Sequence, residues 1–250
     1  MGVNYNPYSL EGKTILITGA SSGIGMATAI ECSKLGARVV ITGRNQERLQ
    51  NTFNQLVGDG HMQVIADLTS QEDIDAMVKT LPAIDGLVNN AGLGRNKPVN
   101  FIKQEDLDYV YSANLFAPIL LTKALLKKKL IGKGGSIVFT SSISSYLSTP
   151  GIAMYASSKA AIASYMRACA VELGDKGIRA NAVHPGMVET KLISGGTYTD
   201  EDMDRDKQLY ALKRYGKPEE IAWAIIYLLS DASAWMTGTS LIIDGGRLLK

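Results

Sequence analysis

Short apolar runs rich in β-branched residues alternate along the chain with longer segments that carry apolar residues at helical spacing. The runs predicted as strands cover residues 13–18, 37–42, 63–66, 84–88, 136–140, 178–183 and 241–243. The segments predicted as helices cover residues 26–36, 45–57, 70–81, 104–129 and 155–173, with two to three more between 190 and 230. Apolar strands that alternate with helices are typical of a parallel sheet covered on both faces. The pattern therefore predicts an α/β fold of about seven parallel strands with right-handed crossovers.

A glycine-rich turn joins the first predicted strand to the first predicted helix. The turn consists of Gly19, Ser21, Ser22, Gly23, Ile24 and Gly25 together with Ala20. Glycine lets a backbone turn sharply and approach a pyrophosphate held at a helix N-terminus. The spacing Gly-x-x-x-Gly-x-Gly differs from the commonest fingerprint, but the strand–turn–helix context is that of a dinucleotide site. We therefore expect a Rossmann-type doubly wound sheet flanked by helices on both faces.

Nothing in the sequence divides this fold, because it contains no linker, repeat or low-complexity segment. We expect a single domain over residues 1–250. Its nucleotide-binding half would cover about residues 10–135, and its catalytic and substrate half about residues 136–250.

The end of the second predicted strand bears on the choice of nucleotide. An NAD site usually places a carboxylate there, about 20 residues after the glycines, to bind the ribose 2′-hydroxyl. This chain has Gly43 and then Arg44 instead. A guanidinium can pair with a 2′-phosphate, so the sequence favours NADP(H). The alternative is that Arg44 is a solvated residue at a helix start, which would leave NAD(H) usable as well.

Polar and small residues follow the third and fourth predicted strands. Asp67, with Leu68 beside it, could accept from an adenine amino group or could cap the next helix. Asn90, Ala91 and Gly92 suit a tight turn beside a ligand. Asn114 lies inside the long predicted helix, where a buried amide needs partners. It is interpreted either as a structural amide or as a site residue.

A hydroxyl, a phenol and an ammonium are spaced so that they converge where the fifth strand ends. Ser142 follows the apolar run, and Tyr155 and Lys159 lie four positions apart, on one face of a predicted helix. A cation beside a tyrosine favours the phenolate, which makes the tyrosine a usable acid or base. A serine hydroxyl can hold the same substrate oxygen. The set suits the interconversion of an alcohol and a carbonyl, although a Tyr-x-x-x-Lys pair alone is common on helices.

Composition and charge exclude several other classes of function. The 250 residues are 46% hydrophobic and 20% charged, with a net charge of +2. This ordinary balance offers no electrostatic reason to expect nucleic acid or an anionic membrane surface as a partner. The N-terminus lacks the pattern of a signal peptide, and no apolar run approaches the ~18 residues that a membrane span needs. Cys32 and Cys169 are expected to be reduced thiols, and no Cys/His spacing predicts a metal site.

Taken together, these motifs strongly resemble the short-chain dehydrogenase/reductase family, over about residues 10–246. The matching motifs are TGASSGIG at 18–25, DL at 67–68, NNAG at 89–92, Asn114, Ser142 with Tyr155-x-x-x-Lys159, Pro185-Gly186 with Thr190, and the C-terminal DGG. The resemblance implies that Tyr155 is the acid/base and that Lys159 lowers its pKa and holds the nicotinamide ribose. It also implies that Ser142 orients the substrate oxygen and that Asn114 supports a water relay.

The same resemblance implies further cofactor contacts, an assembly and a location. Asp67 would bind adenine, Asn90 and Gly92 would line the cofactor, and Val188 and Thr190 would contact the carboxamide. Members are usually cytoplasmic homotetramers. Here the two long helices and the last strand, near Trp235, would form the contacts.

The substrate is the least determined part, because fold and cofactor do not define it. The chain looks most like the 3-oxoacyl-carrier-protein reductase group and its sugar- and polyol-active relatives, so a small carbonyl or alcohol, free or carrier-linked, is expected. Lys133 and Lys176 match basic positions of the carrier-protein enzymes. Residues 192–213, with Tyr198 and Tyr210, are expected to shape the pocket, and 194–206 to form a lid. The alternative from another class is a nucleotide-binding sensor or scaffold without turnover.

Overall fold

Seven parallel strands form one sheet in the computed structural model, which describes residues 5–190 and 199–250. The strands are β1 Thr14–Thr18, β2 Arg38–Gly43, β3 Met62–Ile65, β4 Ile84–Asn89, β5 Ile131–Thr140, β6 Arg179–Pro185 and β7 Ser240–Ile243. Their order in the sheet is β3-β2-β1-β4-β5-β6-β7. The chain therefore changes direction across the sheet between β1 and β4, and ligands of such folds bind at the carboxyl ends of strands beside this point.

Helices cover both faces of the sheet, as the alternating pattern predicted. They are α1 Gly23–Lys34, α2 Gln46–Phe53, α3 Gln71–Thr80, α4 Gln104–Tyr111, α5 Ala117–Lys127, α6 Ala153–Gly174, α7 Asp200–Lys207 and α8 Pro218–Leu229. Side-chain caps define three of their starts. The side chains of Asn45, Ser70 and Thr199 accept from the amides of Arg48, Asp73 and Asp202 at α2, α3 and α7, respectively.

Alternate residues of each central strand enter two separate cores. Leu16 and Leu87 pack on one side with α3, α5 and α6, while Ile15 and Ile17 pack on the other side with α1 and α8. All four side chains are fully buried. Because strand residues point alternately to opposite faces, a run such as Ile15–Leu16–Ile17 must be apolar throughout when both faces are covered.

Two predicted elements differ from those observed. Strand β5 begins at Ile131, five residues before the predicted start, because a glycine-rich stretch continues the pairing with β4 through a register shift between Ile84 and Gly86. The long helix predicted at 104–129 is divided by a π-helical segment, Ser112–Phe116, between α4 and α5.

The helical stretch Gln104–Lys127 is long and apolar enough to cross a membrane by length and composition alone, because 18 consecutive residues within it reach a mean hydropathy of 1.3. This corrects the expectation that no segment reaches that threshold. It is weak evidence for a span, because core helices of soluble domains pass the same test. Leu121 and Leu125 of this stretch are fully buried in the core against the sheet.

Candidate active site

The hydroxyl, phenol and ammonium noted in the sequence lie together at the carboxyl end of β5. Ser142 follows the last residues of that strand, and Tyr155 is the third residue of α6. The Ser142 hydroxyl lies near the Tyr155 phenol, and its hydrogen-bonding influence acts to lower the pKa of Tyr155. One turn along α6, the Nζ atom of Lys159 lies 5.7 Å from the centroid of the Tyr155 ring. The structure thus brings one donor and two titratable groups to a single point.

Lys159 is an unusually buried cation, with 5% of its surface exposed. Its Nζ atom donates to the Thr140 carbonyl oxygen at 2.8 Å, and its own carbonyl accepts from Ser141 Oγ at 2.8 Å. Burial penalises the charged amine and lowers the pKa of Lys159 to about 8. The helix that carries Lys159 is therefore attached at two points to the end of β5.

The pKa of Tyr155 is raised above its ordinary value. Burial is the largest cause, and the hydrogen bond with Ser142 acts in the opposite direction without cancelling it. This direction differs from the expectation that Lys159 lowers the pKa of Tyr155. In this structure the ammonium donates to Thr140, and removal of the phenol from water dominates. Tyr155 is consequently protonated at neutral pH.

Asn114 lies in the π-helical segment, a local distortion that often occurs at functional sites. Its side chain is 2% exposed and makes hydrogen bonds with both backbone groups of Leu93, at 2.8 and 2.9 Å, and with Ser158 Oγ at 3.0 Å. A Cβ atom on Gly92 would lie 3.1 Å from Asn114 Oδ1 and 3.2 Å from Lys159 Nζ. Asn114 thus holds the segment after β4 beside Lys159.

Two glycines of the glycine turn could not be replaced by residues that carry a side chain. Gly19 has a φ of +65°, and a Cβ atom there would lie 2.8 Å from the Ala91 Cα atom. A Cβ atom on Gly25 would overlap the Gly19 carbonyl oxygen and lie 2.5 Å from Asn90 Nδ2. Asn90 in turn donates to the Thr18 carbonyl oxygen at 3.1 Å. The turn therefore packs directly on the Asn90–Gly92 segment, as neighbouring strands β1 and β4 require.

The N-terminus of α1 can receive a phosphate. Within the described part of the chain, the Ser22 side chain at the N-cap makes no capping hydrogen bond, so the first amides of the helix lack that partner. Thr190 lies against the same turn, because a Cβ atom on Gly23 would lie 3.0 Å from Thr190 Cγ2. Donor groups at a helix start and a backbone that only glycine permits fit a pyrophosphate.

Arg44 and Asp67, considered separately in the sequence, are neighbours in the structure. Arg44 Nη1 lies 3.8 Å from Asp67 Oδ2, and both side chains are well exposed. Burial raises the pKa of Asp67, but hydrogen bonds from Thr69 and the charge of Arg44 outweigh it, so the net pKa is lowered. Asp67 is not the cap of α3, because Ser70 is. Leu68 is buried in the core and supports the segment from below.

Beyond β6 the backbone returns towards the glycine turn. Pro185 ends the strand, and Val188 is buried and forms a bridge with Gly216. Tyr210 differs from its predicted role in the pocket. It is 2% exposed, and its hydroxyl accepts from the Met187 amide at 3.1 Å.

A Cβ atom on Gly186 would lie 3.2 Å from the Tyr210 ring. Tyr210 therefore supports the turn after β6. Tyr198 and positions 194–198 of the predicted lid lie outside the described residues, while 200–206 belong to α7.

Several residues of the site were missed by the sequence analysis. Thr18 Oγ1 accepts from the Asn90 and Ala91 amides at 2.9 Å each, and Ser158 links Asn114 to the Tyr155 carbonyl. Asp106, which is 2% exposed, binds Arg95 at 3.0 Å and Lys97, and so fixes the segment after β4 to α4. A hydroxyl at a strand end and an acid in a first helical turn are frequent features, so neither signals a site by itself.

Two surface lysines, the metal-ligating residue types and the two cysteines were also considered in the sequence. Lys133 and Lys176 lie near the amino ends of β5 and β6, at the edge of the sheet opposite the Ser142–Tyr155 pair. Across residues 5–190 and 199–250, no group of three or more His, Cys, Asp or Glu side chains could hold a metal ion. Cys32 and Cys169 are both free and buried.

Comparisons with known proteins agree with this geometry. A family model described as enoyl-(acyl carrier protein) reductase matches residues 19–247. The chain is 36% identical to a 3-oxoacyl-[acyl-carrier-protein] reductase of Rickettsia bellii, covering 96% of this chain and 98% of the relative. It is 35% identical to the enzyme of that name from Thermotoga maritima, covering 96% and 99%.

Solved structures show the same relationship. A short-chain alcohol dehydrogenase from Sinorhizobium meliloti superposes with a TM-score of 0.93 at 31% identity, covering 98% of this chain and all of that one. A gluconate 5-dehydrogenase from Burkholderia cenocepacia, solved with NADP and tartrate, gives a TM-score of 0.89 at 28% identity, covering 98% of each chain. The glycine turn, the Ser142–Tyr155–Lys159 set and these matches together show that the chain belongs to the short-chain dehydrogenase/reductase family of nicotinamide-dependent oxidoreductases.

Proposed function

We propose that this protein is an NADP(H)-dependent reductase that converts a carbonyl into a secondary alcohol. The observation that carries the proposal is the convergence of Ser142, Tyr155 and Lys159 beside a turn built for a pyrophosphate. The nicotinamide cofactor supplies the hydride. The side chains of the chain hold the carbonyl and deliver the proton.

The proton step follows from the pKa directions in the site. Because the pKa of Tyr155 is raised, its phenol is protonated at neutral pH and can donate to the oxygen of a bound carbonyl. Ser142 donates a second hydrogen bond to the same oxygen, where negative charge develops. Lys159, charged below about pH 8, stabilises the phenolate that forms at Tyr155 after the transfer. Asn114 positions the segment after β4, which includes Gly92 and Leu93 and lies between Asn114 and Lys159.

The preference for NADP(H) rests on the residues that follow β2. Arg44 is 61% exposed on its side chain and is only loosely paired with Asp67, at 3.8 Å, so its guanidinium is free to turn to a 2′-phosphate. We propose that the other cofactor contacts come from the glycine turn, Asp67, Asn90–Gly92 and the segment from Pro185 to Thr190. NAD(H) would bind more weakly through the same groups.

Two substrate classes are supported by different relatives. The 3-oxoacyl-[acyl-carrier-protein] reductases from Rickettsia bellii and Thermotoga maritima favour a 3-oxoacyl thioester. The gluconate 5-dehydrogenases among the similar structures favour a sugar acid or polyol. Lys133 and Lys176 do not distinguish the two substrate classes within one chain, since they lie at the edge of the sheet opposite the candidate active site. We give the thioester first place on sequence identity.

We further propose that the enzyme is a cytoplasmic homotetramer with each chain a single domain. Supporting observations are exposed apolar side chains on the surfaces expected to meet. Phe116 and Val171 are exposed on the long helices, and Trp235 is fully exposed near β7, where Ile242 is half exposed. Symmetric pairing of such faces is the usual way in which chains of this size bury apolar surface.

The test of the function is NADPH consumption by the purified protein with a panel of 3-oxoacyl thioesters, ketones and sugar acids. Tyr155→Phe should keep NADPH affinity, because only a hydroxyl is removed, and should lower kcat at least about a hundredfold, as expected for loss of an acid catalyst. Tight NADPH binding without turnover of any compound would instead support a sensor or scaffold. Near-full activity of Tyr155→Phe would refute the assignment of the acid.

A further inference from the structure

A fully buried histidine lies behind the candidate catalytic serine. His184 is the sixth residue of β6 and has no exposed surface. Its Nδ1 atom lies 3.1 Å from the Ser142 carbonyl oxygen and 3.0 Å from Ser145 Oγ. On the outer side, the ring packs against Tyr146 with the centroids 5.1 Å apart.

The hydrogen bonds determine which nitrogen carries the proton. A carbonyl oxygen can only accept, so Nδ1 must be the donor to Ser142. Ser145 Oγ donates to the same carbonyl at 2.7 Å. The Nε2 atom is then an acceptor, and it is buried without a partner among the described residues. Burial also lowers the pKa of His184, which keeps the ring neutral.

The position of His184 explains what this bond does. The ladder between β5 and β6 ends where the Ser141 amide donates to the Val183 carbonyl at 2.9 Å. One residue further on, Ser142 leaves the sheet and is the N-cap of the short turn Ile143–Ser145. The next residue along β6 is His184, whose side chain reaches the Ser142 carbonyl beyond the end of the ladder. The Ser142 carbonyl also accepts from the Ser145 amide at 3.1 Å within the turn, so the imidazole is the donor that ties this peptide to β6.

We propose that His184 is a positioning residue, which holds the Ser142 peptide through its Nδ1–H group so that the Ser142 hydroxyl faces the substrate carbonyl. This role rests on the proposed reductase function. It acts through Ser142 alone, so it affects turnover and leaves NADPH binding unchanged.

The tautomer can be observed directly, because the chain has two histidines. His61 provides the internal reference. Its Nδ1 atom accepts from the Val39 amide at 3.1 Å, and its Nε2 atom lies 3.0 Å from the Val57 carbonyl, so its proton is on Nε2. NMR of ¹⁵N-histidine-labelled full-length protein should show one Nδ1–H and one Nε2–H imidazole. Two Nε2–H imidazoles would refute the proposal.

Two substitutions separate the donor from the volume of the side chain. In His184→Asn the amide nitrogen takes the place of Nδ1, whereas in His184→Gln it takes the place of Nε2, although glutamine is closer to histidine in size. We expect His184→Asn to keep kcat within about threefold and His184→Gln to lose about tenfold, the usual effect of one hydrogen bond. The Kd for NADPH should be unchanged in both.

His61→Gln is the matched control, because it also removes a bonded imidazole but lies at the amino end of the sheet. Its kcat should equal that of the wild type even if its Tm falls. Equal losses of kcat in His184→Asn and His184→Gln, or losses of kcat that follow the fall in Tm, would refute the positioning role and leave the proposed function standing. A wild type that reduces no carbonyl would refute the proposed function, and the positioning role with it.

Discussion

Replacement of Lys159 by methionine should stabilise the fold at neutral pH while it abolishes the reaction. Lys159 is 5% exposed, and its pKa falls from 10.5 to about 8 because burial disfavours the charged amine. Methionine has a similar length and no charge, so the substitution removes the penalty without a large change in packing.

The size of the effect follows from the pKa. The pKa of Lys159 falls by about 2.5, and each pKa unit corresponds to about 1.4 kcal/mol, so burial of the charged amine costs about 3 kcal/mol. The substitution also removes the hydrogen bond from Nζ to the Thr140 carbonyl, which is worth about 1.5 kcal/mol for a charged donor. The net gain in the free energy of unfolding should therefore be about 1–2 kcal/mol at pH 7.

The pH dependence has a defined sign. Below about pH 8 the amine is charged in the folded and unfolded states, and the wild type carries the whole penalty. Between about pH 8 and 10.5 the amine is neutral when folded but still charged when unfolded. The unfolded state then binds more protons, so the stability of the wild type rises relative to that of the variant.

Guanidinium unfolding of both proteins at about pH 7 and about pH 10 would measure this difference, since other groups titrate alike in both and cancel. The advantage of Lys159→Met should shrink by about 2–3 kcal/mol over this interval, enough to remove or reverse it. A difference that does not change with pH would show that Lys159 is not a buried titrating group, and the account of its pKa would be wrong.

Three further predictions test the cofactor site and the assembly. Gly25→Ala should weaken NADPH binding at least about tenfold, because its Cβ would overlap the Gly19 carbonyl. Calorimetric titration would measure the affinity, and an unchanged affinity would contradict the role of the glycine turn in holding the pyrophosphate. Arg44→Ala should weaken the binding of NADPH about tenfold or more and leave the binding of NADH unaffected. Gly43→Asp should reverse the preference, and the site has room for it, because the atoms nearest to a Cβ on Gly43 lie at 3.5 Å, an ordinary contact distance. Equal losses for both cofactors would refute that role of Arg44. Sedimentation at micromolar concentration should show a tetramer, and a single 26.8 kDa species would exclude it.

The strand and helix pattern and the relation between Tyr155 and Lys159 could be predicted from sequence because both are local. Apolar runs mark strands buried on two faces, and a spacing of four places two side chains on one side of a helix. The glycine turn was also readable, since its position between a strand and a helix restricts what it can do.

Other features of the site could not be predicted, because they depend on contacts between distant segments. The direction of the Tyr155 pKa is set by burial, which local spacing does not report. The role of Tyr210 changed from pocket to support because its hydroxyl meets the Met187 amide. The π-helical segment at Asn114 also escaped prediction, since its apolar spacing reads as one uninterrupted helix.

The sequence by itself determined the α/β class, the cofactor-type turn and the choice of candidate catalytic groups, because short-range periodicity and residue chemistry encode them. The tertiary structure alone decided how these groups behave. Folding brings the ends of β5 and β6 together, so that His184 meets the Ser142 carbonyl and Lys159 meets that of Thr140. Those contacts remove the side chains from water, and removal from water sets their protonation and orientation.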